Sequence, residues 1–180
     1  MSIGLKRGTV RLEKHQKQWE ENAKKTIDDL SSILKGTDAK IRHVGSTAIR
    51  SIKAKPIIDI VIGVNDLEEV SDRNELLEKE GYILRQNDKP DELLYVKGDL
   101  DHDFITHHVH VVISDSKKWK DYLNLVEYLD FNRDVAQEYE SLKERLAKIY
   151  ADDRNSYTEG KSELIIRLVD EAEKYKNDQK

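Results

Sequence analysis

The chain has 180 residues, of which 37% are apolar and 37% charged, with a formal net charge of -5 at pH 7. The acidic balance argues against nucleic acid or an anionic membrane as a partner, and the absence of cysteine excludes disulfides and thiolate metal sites. We expect a single domain over 1–180, because this length suffices for one full hydrophobic core. Neither a signal peptide nor a membrane-spanning run is recognisable, so we expect a cytoplasmic protein.

The N-terminal half alternates between helical and strand patterns. Apolar residues at steps of three and four predict an amphipathic helix over 19–34, which Gly36 ends. The segments "AKIRHVG" (39–45) and "PIIDIVIGV" (56–64) predict two strands, the second nearly continuous in apolar residues. Segment 66–81 predicts a second helix. Three short alternating segments, "YILRQ", "ELLYVKG" and "THHVHVVIS", predict an antiparallel extension of the sheet.

The last third, from about residue 117, has helical spacing throughout. It predicts two or three helices, with a break near 152–156 and a further helix over 162–175. The elements together predict an α+β domain whose helices are segregated toward the two ends of the chain.

The most informative segment is "HVGSTAIRSIKAKPIIDIVIGV", residues 43–64. A turn made of Gly45, Ser46 and Thr47 between a strand and a helix can present backbone N–H groups and a hydroxyl to a phosphate. Asp59 interrupts an apolar run, and a buried charge needs a partner, a ligand or a cleft. Lys55 is a candidate phosphate ligand. The alternative is structural: a helix cap in the turn, and an ion pair between Lys55 and Asp59.

A second group of candidate residues lies in "THHVHVV" (106–112). Strand alternation places His108 and His110 on one face. Together with Asp59 they predict a metal site of nitrogen and oxygen ligands, and all three are candidate catalytic residues, since histidine also suits acid/base chemistry. The alternative is that one histidine is a buried hydrogen-bonding residue and the other lies at the sheet surface.

Four more residues are candidates for the edge of a cleft. Lys161 stands at a predicted helix start, where a cation is unfavourable unless an anion compensates it, so we assign it to phosphate binding. Tyr157 precedes it and either lines the cleft or packs in the core. Arg85 either lines the cleft or forms an exposed salt bridge. His43 is a possible cleft residue that stabilises the glycine turn.

Two further blocks, "VAQEYESLKERLA" (135–147) and "YTEGKSELI" (157–165), follow 43–64 and 106–112. These four blocks, in this order, resemble the GrpB family. The resemblance covers nearly the whole chain and implies a nucleotidyltransferase-like fold, with a mixed β-sheet core, flanking helices and a helical C-terminal third.

The same resemblance implies roles for individual residues. Nucleotidyltransferases place two carboxylates on one strand and a third on a neighbouring strand, where they hold two metal ions. By position, Gly45 and Ser46 would contact a triphosphate, and Asp59 would be the first metal ligand. The second carboxylate is expected at position 61, where this chain has Val61. The resemblance therefore favours phosphate binding over phosphate chemistry.

We therefore expect a protein that binds a nucleotide or a phosphorylated small molecule, with its status as an enzyme left open. The expected cofactor is Mg²⁺ or Mn²⁺, with Zn²⁺ as an alternative. The alternative function is a metal-binding, hydrolase-like enzyme that uses Asp59, His108 and His110. The substrate, the acceptor and the oligomeric state are not defined by the sequence.

Overall fold

The structure is a computed structural model that describes residues 3–85 and 89–179. The strands are β1 (Leu5–Lys6), β2 (Lys40–Val44), β3 (Ile58–Val64), β4 (Ile83–Arg85), β5 (Glu92–Asp99) and β6 (Phe104–Ile113). The α-helices are α1 (Lys17–Ile33), α2 (Glu68–Ser71), α3 (Asn74–Lys79), α4 (Lys117–Phe131), α5 (Arg133–Ile149), α6 (Arg154–Glu159) and α7 (Ser162–Asp178). Two short 3₁₀ helices cover Ser46–Ala48 and Leu100–His102.

The strands form one mixed sheet in the order β2-β3-β6-β5-β4, and β1 pairs with the start of β6. The central pair, β3 and β6, is parallel, while β2, β4 and β5 pair with their neighbours in the antiparallel direction. The parallel register places Asp59 beside His108 and Val61 beside His110. The sheet therefore joins two of the sequence blocks at its centre.

One face of the sheet carries the main hydrophobic core. Ile58, Ile60 and Ile62 of β3 pack there with Trp19 and Leu30 of α1. Because strand side chains alternate, Asp59 and Val61 point to the opposite face. The apolar run of β3 is thus buried on both sides, as expected for a central strand.

The second face is covered by the C-terminal helices. Val61 packs there with Val44, Val112 and Trp119. A separate cluster joins the helices to the segment after the glycine turn, and its buried members are Ile49, Ile52, Leu129, Ala136, Tyr139 and Leu168. Between these two clusters the helices stand away from the sheet.

The α+β architecture and the mixed sheet agree with the sequence predictions, whereas the helix predicted over 66–81 is wrong in one respect. It is two short helices, α2 and α3, separated at Asp72 and Arg73. The Arg73 guanidinium donates to the carbonyl of Glu69, and the Arg73 amide bonds to Val70 instead. The side chain thus takes the acceptor that a continuous helix would use for its own backbone.

Within the described part of the C-terminal third, residues 117–179, there are four helices rather than two or three. The additional helix, α6, lies in the predicted break, where the Asp153 side chain accepts a hydrogen bond from the Ser156 amide at 3.0 Å and caps it. Gln86, the last residue of the predicted strand "YILRQ", lies outside the described residues. In the part of the chain that is described, no helix is long and apolar enough to cross a membrane.

Candidate functional site

A cavity of about 540 Å³ lies between the second face of the sheet and the C-terminal helices. It brings together nine of the residues selected from the sequence: Gly45, Ser46, Thr47, Lys55, Asp59, His108, His110, Tyr157 and Lys161. These residues come from three separate parts of the chain. The fold therefore assembles most of the predicted site in one place.

The glycine turn lies directly against Asp59. Gly45 has a φ of +71°, a conformation that side-chain-bearing residues rarely adopt. A methyl group at this position would overlap the Asp59 carboxylate, and it would lie 2.9 Å from the Asp59 Cβ atom. Glycine is therefore required by the backbone and by the close approach of Asp59.

We expect Gly45→Ala to lower the free energy of unfolding by about 2 kcal/mol, because a positive φ and a steric overlap both oppose it. Gly36→Ala is the matched control, since Gly36 has a φ of +90° and no described atom within 4 Å of the added methyl group. It should lose only about 1 kcal/mol. Urea denaturation measures both values, and equal losses would show that Asp59 imposes no steric constraint.

The other residues of the turn are held by side-chain hydrogen bonds. Thr47 is buried, and its hydroxyl lies 2.9 Å from His43 Nε2. Burial lowers the pKa of His43 to about 4, so this imidazole is neutral at pH 7. Ser46 forms a side-chain hydrogen bond with Tyr139 of α5, whose pKa is raised by burial. The turn is thus tied to β2 and to the C-terminal helices.

Asp59 forms the centre of a chain of polar contacts. Its Oδ1 atom lies 3.0 Å from Nδ1 of His108, and His108 Nε2 lies 3.4 Å from the Arg154 guanidinium. Burial alone would raise the pKa of Asp59, but the bond to His108 and the charges of His108, His110 and Lys55 outweigh it. They lower this pKa to about 2. Asp59 is therefore a carboxylate at neutral pH.

A second carboxylate–histidine pair lies beside the first. Glu92 of β5 is almost fully buried, and its Oε1 atom accepts hydrogen bonds from His110 Nδ1 at 2.6 Å and from the Tyr122 hydroxyl at 3.1 Å. Lys118 Nζ lies 3.2 Å from the other oxygen. Burial raises the pKa of Glu92, but the bond to His110 and the neighbouring cations prevail and lower it to about 2. The rings of His108 and His110 are 6.3 Å apart, centroid to centroid.

Val61 stands where the second carboxylate is expected, and it is packed in an apolar cluster. Val61 is fully buried among Val44, Val112 and Trp119, beneath α4. A carboxylate at this position would enter an apolar cluster, which is unfavourable without a partner. The valine found in place of the expected carboxylate is therefore part of the hydrophobic core.

These residues do not fit the two-metal centre that the fold implies. Within the described residues, no group of three or more His, Asp or Glu side chains is arranged to hold a metal ion. His108 and His110 each place Nδ1 against a carboxylate, and Arg154 lies at the remaining nitrogen of His108. The metal-site prediction for Asp59, His108 and His110 stays a prediction, and we derive no step through a metal.

Cations also line the cavity. The ammonium groups of Lys55 and Lys161 lie over the ring of the buried Tyr157, at 5.2 and 4.6 Å from its centroid. Burial, followed by the charges of Arg154 and Lys161, lowers the pKa of Lys55 to about 7. Burial likewise lowers the pKa of Lys161 to about 8, against the opposing effect of Asp59. Their positive charges are therefore poorly compensated within the protein.

Lys143 of α5 belongs to the same group of cations. It is 1% exposed, its ammonium lies 4.6 Å from the Tyr139 ring centroid, and it donates to the carbonyl of Lys53. Burial, together with the charge of Lys161, lowers its pKa to about 7, against the opposing effect of Glu140 and Glu144. Lys143 thus adds a third lysine whose charge is disfavoured in the free protein.

Two of the predicted cleft residues lie elsewhere. Arg85 is in β4, an edge strand, and is not among the described residues that line the cavity, so its assignment to the cleft stays a prediction. His43, in β2 just before the glycine turn, contacts Thr47 and is not among the described residues that line the cavity. Its assignment as a possible cleft residue therefore stays a prediction.

Four residues of the candidate site were not selected from the sequence: Glu92, Tyr122, Lys143 and Arg154. Lys143 does leave a signal, because it follows Tyr139 by four residues and so falls on the apolar face of an amphipathic helix. Arg154 leaves none, since its position depends on how α6 packs.

The chain matches a protein-family model described as GrpB protein over residues 9–171. It is 36% identical over 172 residues to the glutamate-rich protein GrpB of Alkalihalophilus pseudofirmus, covering 94% of this chain and 99% of that one. It is 31% identical to the UPF0157 protein YqkA of Bacillus subtilis, covering 90% of this chain and 47% of that protein.

Solved structures extend the comparison to the fold. The conserved protein GrpB from Enterococcus faecalis superposes with a TM-score of 0.84 at 29% identity, over 92% of this chain and 99% of that chain. A structure of Cid1, which has RNA terminal uridylyl transferase activity, superposes with a TM-score of 0.53 at 14% identity, over 75% of this chain and 42% of that chain. The chain therefore belongs to the GrpB family and has a nucleotidyltransferase-like fold.

Proposed function

We propose that the chain binds a nucleotide, or another phosphorylated small molecule, in the cavity between the sheet and the C-terminal helices. The observation that carries this proposal is the charge of the cavity. Among the described residues, six lysine or arginine side chains line it, against two aspartates, Asp59 and Asp121. Two of the six, Lys89 and Lys118, pair with Glu92, which leaves Lys55, Lys143, Lys161 and Arg154 as the cations available to a ligand. Asp121 also pairs with Lys117, at 2.9 Å, so its charge is partly compensated.

The electrostatics of the lysines support an anionic ligand. Lys55, Lys143 and Lys161 have pKa values lowered to about 7 or 8, first by burial and then by one another or by Arg154. A bound phosphate would offset both effects, since an opposite charge nearby favours the protonated amine. The free protein thus holds a group of cations that an anion would stabilise.

The shape and the remaining lining support a nucleotide in particular. The volume falls in the usual range for small-molecule sites, about 300–1,000 Å³. Beside the cations the cavity has an apolar wall that includes Ile49, Leu125, Leu129 and Ile165, which suits a nucleobase. The fold shared with Cid1 supports the same ligand class.

We restrict the proposal to binding. Val61 occupies the position of a metal-holding carboxylate and is buried in an apolar cluster. Asp59 is engaged with His108. The geometry thus supports recognition of a phosphorylated ligand more directly than nucleotidyl transfer.

A thermal-shift experiment at pH 7 tests the proposal with ATP, GTP, CTP, UTP and inorganic triphosphate, each with and without magnesium. A ligand at a hundredfold excess over its dissociation constant adds about 2.7 kcal/mol of stability, which raises the melting temperature by roughly 5–10 °C. Absence of stabilisation by every compound, in both media, would contradict the proposal.

We expect Lys161→Met to weaken binding of the best of these ligands by roughly tenfold to a hundredfold, because it removes a charge-assisted contact. The same variant should raise the stability of the free protein, because it removes a poorly compensated cation from a buried site. Isothermal titration calorimetry and urea denaturation measure the two effects.

Lys25→Met is the matched control for this variant. Lys25 lies on α1, across the sheet from the cavity, and its side chain is 75% exposed. The Lys25→Met substitution also removes one positive charge, but outside the site, so the affinity for the ligand should be unchanged. Equal losses of affinity in the two variants would place the ligand outside the cavity.

A further inference from the structure

We propose that the cations of this cavity bind the polyphosphate part of the ligand directly, in place of the divalent metal ions of a two-metal site. This inference rests on the proposed function and concerns how the same site recognises its ligand. It follows from two arrangements in the structure: the carboxylates are engaged or buried, and the cations are fixed in the cavity wall.

The first arrangement concerns the groups that would hold a metal. Asp59 Oδ1 is 3.0 Å from His108, and Glu92 Oε1 is 2.6 Å from His110. Position 61 carries a buried valine. Each carboxylate of this face therefore already has a partner that carries or shares a proton. The donor set favours hydrogen bonding over metal coordination.

The second arrangement concerns the cations, each of which contacts an aromatic or imidazole ring. Tyr157 lies under both Lys55 and Lys161. Tyr139 lies under Lys143, and the same tyrosine bonds to Ser46 of the glycine turn. These rings contact the amines without neutralising them, because a ring face attracts a cation but carries no net charge.

The fourth cation, Arg154, is fixed by His108. Its guanidinium lies 3.4 Å from His108 Nε2, and His108 is in turn bonded to Asp59. Arg154 is partly buried, and the planar guanidinium matches two phosphate oxygens at once. The chain Asp59–His108–Arg154 therefore joins the surviving carboxylate to a phosphate-binding group, so the carboxylate acts through the arginine rather than through a metal.

The balance of charge favours the metal-free ligand. The charge of Asp59 acts on Lys55, Lys161 and Arg154, while Lys143 lies near Lys161, and a phosphate group carries a charge of about -1.5 to -2 at pH 7. A triphosphate chain without metal therefore matches the excess of positive charge. Magnesium bound to the same chain would cancel part of the ligand's charge and would lie close to these cations, which it repels.

Titration calorimetry with ATP and with inorganic triphosphate, in EDTA and in excess magnesium, tests this inference. We expect both probes to bind in EDTA, and magnesium to weaken their binding about fivefold to tenfold. Binding that requires magnesium, or that magnesium strengthens tenfold, would overturn the inference and leave the proposed function intact. Absence of binding in both media would instead remove the proposed function.

A variant separates direct binding from a general effect of magnesium on the ligand. In Lys161→Met one cation is missing, so the unfavourable effect of magnesium should shrink, whereas Lys25→Met should keep it at the wild-type value. An identical magnesium effect in all three proteins would show that these cations do not contact the polyphosphate, and it would overturn the inference.

Discussion

Replacing Glu92 with alanine is expected to lower the free energy of unfolding by about 4 kcal/mol, in the range found for breaking a buried ion pair. The Glu92 carboxylate is 3% exposed and accepts hydrogen bonds from His110 and Tyr122. The variant would leave these donors inside the protein without their acceptor, and unpaired buried polar groups are costly. Urea denaturation at pH 7, followed by the fluorescence of the two buried tryptophans, measures the change.

Two further variants show whether the loss of stability comes from this buried carboxylate. Glu21→Ala removes an exposed carboxylate from α1 and should change stability by less than about 0.5 kcal/mol. Glu92→Gln keeps the shape of the side chain and loses only its charge, so we expect about half the effect of the alanine variant. A loss below about 1 kcal/mol for Glu92→Ala would contradict the view that this network stabilises the sheet.

The fold was predictable where local pattern determines the element. The apolar run of β3 and the alternation of β6 predict strands, and the two are neighbours at the centre of the sheet. The order of the strands and the parallel pairing are not local properties. The family resemblance implied a mixed sheet, but the strand order and the parallel pairing of β3 with β6 are known only from the structure, because composition and periodicity do not specify which strands pair.

Site residues could likewise be predicted where the local sequence makes one residue energetically unfavourable. Asp59 could be selected because a charge within an apolar strand needs a compensating environment, and it does line the cavity. Lys161 could be selected because a cation is unfavourable at a helix start. Both arguments use the energetic penalty of one residue in its local context, and such penalties can be read from sequence alone.

Glu92 shows why the rest could not be predicted. It stands at the first position of β5, where an acidic residue is ordinary, and nothing nearby marks it as buried. Its role depends on the register of β5 and β6, which pairs Glu92 with Val112 and so places it diagonally opposite His110. A contact across strands eighteen residues apart requires that register to be known.

The affinity for ATP is expected to fall by about a hundredfold or more between about pH 7 and about pH 9, the largest effect on binding that the cavity predicts. In the free protein, burial and mutual repulsion lower the pKa of Lys55 and Lys143 to about 7 and that of Lys161 to about 8. Bound phosphates would raise these values, so binding takes up protons in this window. Each linked proton weakens binding tenfold per pH unit as the pH rises.

The ligand itself contributes little to this dependence, because the last phosphate ionisation, near pH 6, is nearly complete above pH 7. Calorimetry in buffers of different ionisation enthalpy counts the protons taken up, and we expect at least one at pH 8. Lys161→Met should take up fewer, while Lys25→Met should match the wild type. An affinity that does not change with pH would show that the three lysines remain protonated in the free protein. Burial is the largest cause of these lowered pKa values, and the charges that modify it are Asp59, Arg154, the lysines themselves and, for Lys143, Glu140 and Glu144.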